Sequence, residues 1–245
     1  MKPKTDIVPP KAPARVLALA AALAILGGCA TMPADEHVAP ADAELARELK
    51  KSMDCMYPPR FNAVHRALLT IRGRQLAMIG YVSAERSGRL RLAAAGDLGG
   101  TIFEAERGAD GGRRVLRRVP SFPQEWVTDG ALRDAALICG ERPSAAAAAV
   151  AHADGSIGLV DDLGNGVTRE FVFAGIPPRL TRCILTRRGA VVTEARFERL
   201  AAFDGWPRQI PTRILITDRG LGYSVDVTVL ELKALDTDNT PETPE

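Results

Sequence analysis

From Phe61 onward the chain consists of short apolar segments broken at regular intervals by glycine-containing turns, and this repetition limits the fold more than any other feature. The segments 63–72, 75–85, 89–95, 101–107 and 113–119 are separated by Gly73, Ser87-Gly88, Gly96–Gly100 and Gly108–Gly112. Strands recurring about every dozen residues with glycine at each reversal read as an antiparallel meander. Along 75–81, Leu76, Met78 and Gly80 oppose Ala77, Ile79 and Tyr81, so both faces are apolar. A strand apolar on both faces has to be covered on both. The sheet is therefore expected to wrap around something.

The pattern then changes and returns. Within 123–140 a helix is expected over 129–138, with Asp129 as its cap and Leu132, Ala136 and Cys139 on one face. Ser144 is placed to cap a second helix over the alanine run 145–151, since alanine is the best helix former. Six more strands follow at 156–160, 168–173, 181–186, 190–197, 210–217 and 222–232. The expected fold is α+β: a curved antiparallel sheet of about eleven strands forming an open half-barrel, with helices as a lid.

The N-terminal region has a separate character. Lys2, Lys4, Lys11 and Arg15 precede the apolar run 16–26, which is far shorter than the roughly 20 residues that span a bilayer. It reads as an export signal, and Leu26-Gly27-Gly28-Cys29 resembles the lipobox of bacterial lipoproteins. The resemblance implies cleavage before Cys29 and lipid on its thiol and amino group, so Cys29 is the expected anchor. Ala30 after it lacks the aspartate that holds enterobacterial lipoproteins in the inner membrane, which points to the periplasmic face of the outer membrane. The expected division is a signal peptide at 1–28, a lipid-anchored tether with a short helix at 29–58, an open-barrel domain at 59–235 and a disordered tail at 236–245. Residues 30–40 are rich in proline and alanine. Over 41–53, Leu45, Leu49 and Met53 repeat at helical spacing behind Asp42.

Without the basic leader the chain is close to neutral, and no basic, aromatic-interleaved stretch asks for nucleic acid. Arginine greatly outnumbers lysine after the leader, which suits bidentate phosphate recognition and follows equally from a GC-rich coding bias. Arg113, Arg114, Arg117 and Arg118 flank Val115-Leu116 on a predicted edge strand, where they would meet a phosphate headgroup or simply face solvent. Cys55, Cys139 and Cys183 allow one disulfide plus a free thiol, or three buried thiols. His37, His65 and His152 stand far apart without companion acids, and there is no GxSxG, HExxH or phosphate-cradling loop. The stretch 161–166 has the composition of a calcium loop but not its register, and reads as a hairpin turn. No cofactor, metal or catalytic residue is expected, and the protein is not read as an enzyme.

One hairpin stands out. In 89–104 two strands flank Gly96-Asp97-Leu98-Gly99-Gly100, placing an aliphatic side chain at the tip of a turn. A strand, a Leu-Gly turn and a strand following a lipobox resemble LolB, the outer-membrane receptor that accepts lipoproteins from the periplasmic carrier LolA. Segments 73–85, 190–197, Trp206 with Ile210-Pro211-Thr212-Arg213-Ile214, and 222–232 follow the order of that family. The chain also resembles an uncharacterised proteobacterial lipoprotein family of the LolA/LolB-like fold, in which a Gly-Tyr pair, here Gly222-Tyr223, opens the last strand. The proline- and leucine-rich helix of LolB has no clear counterpart in 123–153. The resemblance implies that Leu98 is the membrane-insertion position and that the ligand is a lipid or the acyl chains of a lipoprotein.

The leading expectation is thus a lipoprotein that binds a hydrophobic ligand and delivers it into the outer membrane, with a periplasmic carrier or envelope-assembly protein as a further partner. Leu76, Met78, Ile102, Phe103, Phe171, Phe173 and Val225 are the expected cavity residues, chosen from apolar strand positions without knowing which face points inward. The alternative is a structural or assembly lipoprotein whose core is simply full. An apolar space of several hundred Å³ favours the first reading.

Overall fold

The computed structural model describes residues 37–40, 43–54 and 56–235. The leader, Cys29, Cys55, most of the tether and the tail from residue 236 lie outside the described residues. Residues from His37 onward form a compact unit of their own. It opens with strand β1 (His37–Pro40) and helix α1 (Ala43–Asp54). A meander follows: β2 (Arg60–Ile71), β3 (Arg74–Glu85), β4 (Leu90–Gly96), β5 (Thr101–Arg107) and β6 (Arg113–Arg118). A helical stretch over 126–140, here α2, then leads to a second meander. This comprises β7 (Ala148–His152), β8 (Ile157–Asp162), β9 (Val167–Ala174), β10 (Arg179–Arg187), β11 (Ala190–Phe203), β12 (Trp206–Asp218) and β13 (Tyr223–Ala234).

The strands form one antiparallel sheet in the order β1-β7-β8-β9-β10-β11-β12-β13-β2-β3-β4-β5-β6, so the last strand of the second meander pairs with the first strand of the first. That seam runs from Tyr223 opposite Ile71 to Ala234 opposite Phe61. β1 and β6 are its two edges, so the barrel is open.

Which face turns inward follows from the period of two along each strand. On β2 the inward residues are Phe61, Ala63, His65, Ala67 and Leu69; on β13 they are Tyr223, Val225, Val227 and Val229. A bulge between Val229 and Glu231 shifts the parity, so that Leu232 also turns in.

Three expectations are corrected. The sheet has 13 strands among the described residues, not about eleven. One addition is β1, where the expected tether pairs with β7. The other is β7 itself: the alanine run expected to be helical is a turn followed by a strand. Helix propensity favours helix there by well under 1 kcal/mol per residue, and six alanines with a single valine offer little side chain for a helix to bury. As a strand, the segment gives its backbone groups partners on both β1 and β8. Finally, Asp129 does not cap its helix. α2 begins earlier, as a π-helical turn (Trp126–Ala131), an α turn (Leu132–Ala135) and a second π-helical turn (Ala136–Gly140). Asp129 lies inside the first of these and accepts a hydrogen bond from Arg113 at 3.0 Å.

Candidate functional site: a cavity between the sheet and its helix

α2 lies across the inner face of β3, β4 and β5 and is held by charged side chains near its middle and just past its C-terminal end. Near its middle, Arg133 pairs with Asp134 at 2.7 Å and with Asp218 at 2.5 Å. The Tyr223 hydroxyl donates to Asp134, and the Thr193 hydroxyl donates to Asp218 at 2.8 Å. Asp134 and Asp218 are buried, so each carboxylate oxygen removed from water has to find a donor here. Burial pushes the Asp134 carboxyl above the usual carboxylate range, although Arg133 and Tyr223 pull the other way.

Past the C-terminal end of α2, Glu141 accepts from Arg169 of β9 at 2.5 Å and pairs with Arg107 of β5 at 3.3 Å. Glu141 thereby bridges the two meanders across the open side. Arg169 also reaches Asp161 at 2.8 Å, and Asp161 accepts the Ser144 amide at 3.0 Å. Burial raises the Asp161 carboxyl, but its bonds from Ser144 and Arg169 outweigh that and hold it below the usual value.

Between these fastenings, α2 and the sheet enclose an apolar cavity of about 120 Å³. Its walls are β2, β3, β4, β5, β12 and β13, and its roof is Phe122, Trp126, Ala131, Ala135, Ile138 and Cys139. Phe122 stacks on Phe103 with centroids 5.4 Å apart and meets Trp126 edge-on at 5.8 Å. Space is left because small residues face inward: Ala63, Ala67 and Gly80 from β2 and β3, Ala94 from β4, Ala131 and Ala135 from the roof. His65 is the sole histidine on this wall, and burial lowers its pKa to about 4, so near neutral pH it is an uncharged part of an apolar surface.

Of the expected cavity residues, Met78, Phe103 and Val225 line this space. Leu76 has the right parity but lies beyond it, exposed near the start of β3. Ile102 is one residue out of phase with Phe103 and packs partly buried beside the core. Phe171 and Phe173 are fully buried in the other half of the sheet. There Arg169 stacks over Phe171 at 5.1 Å, and Phe173 sits beside Met53 and Met56 under the end of α1. That half is filled because α1 buries Ala46, Leu49 and Met53 in it. The residues missed include large ones such as Phe61, Leu69, Ile210 and Ile214, and also the alanines and Gly80, whose contribution is the bulk they lack.

Leu98 stands fully exposed at the tip of the β4–β5 hairpin. Gly99 beside it takes φ +83°, and the turn is closed by Gly96 and Gly100 at 2.9 Å. Cys139 and Cys183 are both free thiols, so neither is disulfide-bonded to the other. Among the described residues no group of three or more His, Cys, Asp or Glu is placed to hold a metal, and no helix is long and apolar enough to cross a membrane.

No protein-family model and no curated protein matches the chain. Solved structures do. A LolA-superfamily protein from Nitrosomonas europaea superposes with a TM-score of 0.54 at 12% identity, over 78% of this chain and 94% of that one. Also similar are a putative outer membrane lipoprotein-sorting protein domain from Vibrio parahaemolyticus and a DUF1329 family protein from Desulfovibrio piger. The first has a TM-score of 0.46 at 11% identity over 79% and 93% of the two chains. The second has a TM-score of 0.46 at 12% identity over 80% and 93%. The chain has the LolA/LolB-like fold.

Proposed function

We propose that this protein is an outer-membrane lipoprotein, anchored through Cys29 on the periplasmic face, that binds the acyl chains of a lipid or lipoprotein between its sheet and α2. The observation that carries the reading is the apolar cavity, given room by small residues and roofed by a helix that polar contacts hold near its middle and past its C-terminal end. The LolA/LolB-like fold supports a binding role, not a catalytic one. Each methylene buried contributes about 0.8 kcal/mol, so a few carbons of an acyl chain suffice for measurable affinity. The cavity, about 120 Å³, is small beside the roughly 300–1,000 Å³ of pockets that enclose a whole ligand. A full chain therefore requires α2 to lift from β3–β5. Leu98, exposed at its hairpin tip, is the residue proposed to enter the membrane during delivery.

The test is uptake of a fluorescent fatty-acyl probe by delipidated protein. Stoichiometric binding that is blocked by Ala67→Phe or Ala94→Phe, both of which fill the cavity, is the expected result. Absence of uptake by the unmodified protein sinks the reading. Cys29→Ser should leave binding intact and release the protein from the membrane fraction.

The small size of the cavity favours a second reading, a non-catalytic structural or envelope-assembly lipoprotein with an essentially full core. Under it the same two substitutions change stability alone and the probe never binds.

A further inference from the structure

Because neighbouring strands are all antiparallel, the turns alternate between two rims of the sheet. One rim carries the turns at 72–73, 97–100, 163–166, 188–189 and 219–222. The other carries those at 86–89, 108–112, 153–156, 175–178 and 204–205.

The rims differ in charge. The first exposes Arg72, Arg74, Arg187, Arg188 and Arg219, against Asp97 and Asp162. Asp218 at the same rim is buried and occupied by Arg133 and Thr193. In and beside the turns of the second rim, Arg86, Arg89 and Arg179 are offset by Glu85, Asp110, Asp154 and Asp204, while Arg107 and Arg113 are paired with Glu141 and Asp129.

Arginines elsewhere are mostly used internally. On the edge strand β6, Arg113 pairs with Asp129, Arg114 with Glu106, and Arg118 donates to the Phe122 carbonyl. The five rim arginines make no side-chain hydrogen bond or ion pair among the described residues. Leu98 and Leu163 are exposed on the same rim. The turns at 188–189, 219–222, 72–73 and 97–100 follow one another at intervals of two strands, about 10 Å along the sheet.

We propose that this rim docks on the anionic headgroups of a phospholipid bilayer, the arginines meeting phosphate oxygens while Leu98 enters the apolar layer. Guanidinium groups suit the task because they bind phosphate oxygens bidentately and are weakly hydrated. Each basic side chain at an anionic surface strengthens binding roughly fivefold, an effect confined to a Debye length and so weakened by salt. The inference rests on the reading that Leu98 inserts, but the two are separable.

The experiment is co-sedimentation of residues 37–245, which contain every described element and the whole described core, with vesicles of phosphatidylcholine alone or mixed three to one with phosphatidylglycerol. Circular dichroism checks that each variant is folded. Binding should require phosphatidylglycerol, fall with added salt, and weaken on the order of a hundredfold in R187Q/R188Q/R219Q. R89Q/R179Q/R208Q, with the same charge change near the opposite rim, should bind as the parent does. Equal loss in both triple variants, or binding indifferent to phosphatidylglycerol, overturns the proposal. If Leu98→Ser binds normally while the rim triple variant does not, the charged surface stands and insertion falls. If Leu98→Ser weakens binding and the rim triple variant does not, insertion stands and the charged surface falls.

Discussion

His65 and Gly80 face each other directly across β2 and β3, and the imidazole occupies the space a side chain at position 80 would need. A Cβ built on Gly80 would lie 2.1 Å from His65 Nε2. Glycine in a strand interior ordinarily weakens it. Here it lets the ring lie flat against the sheet and form part of the cavity wall.

Gly80→Ala should therefore drive His65 off its position and cost about 1–3 kcal/mol, the usual range for overpacking. In the His65→Ala background the same substitution should cost much less, because the ring it strikes is gone. A double-mutant cycle by urea denaturation checks this. Additive effects would mean that the ring and the glycine do not share the space.

His65 also makes a pH prediction. Its folded pKa is about 4, against about 6.5 in the unfolded chain, because burial disfavours the charged ring. Between these values the unfolded state binds the extra proton, so stability is full above pH 6.5 and falls toward pH 4. The loss amounts to roughly 3 kcal/mol at most, less wherever the ring keeps some water contact. Asp161 and Asp226, held below the usual range, lose their contribution only at lower pH. Asp134, raised by burial, works in the opposite direction. His65→Leu should flatten the stability profile between pH 6.5 and 4, as thermal denaturation across that range would reveal.

The contact between Tyr223 and Asp134 ties α2 to the first residue of β13. Gly130 is drawn in close beside it, since a Cβ there would lie 3.1 Å from the Tyr223 hydroxyl. Tyr223→Phe keeps the ring and removes the donor. Asp134 then has Arg133 alone, at a cost of about 1–3 kcal/mol for a buried acceptor left short. Amide hydrogen exchange should speed up in 126–140 more than in β2 or β13. Uniform acceleration across the sheet would argue that the contact stabilises the whole fold and not α2.

Much of this architecture was legible from residue patterns, because glycine turns and alternation are local signals. β5 has the expected limits, Thr101–Arg107, and β2 to β4 and β8 to β13 fall where the pattern places them. β7 was not legible: its alanines carry a helix preference, and only pairing with β1 and β8 overrides it. The cavity was half legible. Where both faces of a strand are apolar, composition cannot say which turns inward; the wrap of the sheet decides, and it placed Met78 inside while leaving Ile102 outside the cavity. Searching for large apolar residues found Phe171 and Phe173, which fill a core, and passed over Ala63, Ala67 and Ala94, which leave one empty.

Arg169 is the centre of the fastening past the C-terminal end of α2, reaching Asp161, Glu141 and the Arg142 carbonyl. Arg169→Leu leaves two carboxylates without their main partner in a largely buried site, which typically costs about 3–5 kcal/mol. The segment 141–147 should become the first site of limited proteolysis. Replacing Arg107, which reaches Glu141 from the more exposed side at 3.3 Å, should cost much less. Equal losses from the two would mean that the bridge to β5, not the buried site on β9, holds the segment.

Leu98 makes the last prediction. Its side chain contacts nothing that stabilises the fold, so Leu98→Glu should leave the melting temperature unchanged. Burying a leucine in an apolar layer contributes about 1.5–3 kcal/mol, and a carboxylate at the same depth opposes entry. Transfer of a bound lipopeptide from the protein to vesicles should fall at least tenfold, while uptake of the same lipopeptide from solution is unaffected. Transfer at the parent rate would show that the hairpin tip takes no part in delivery.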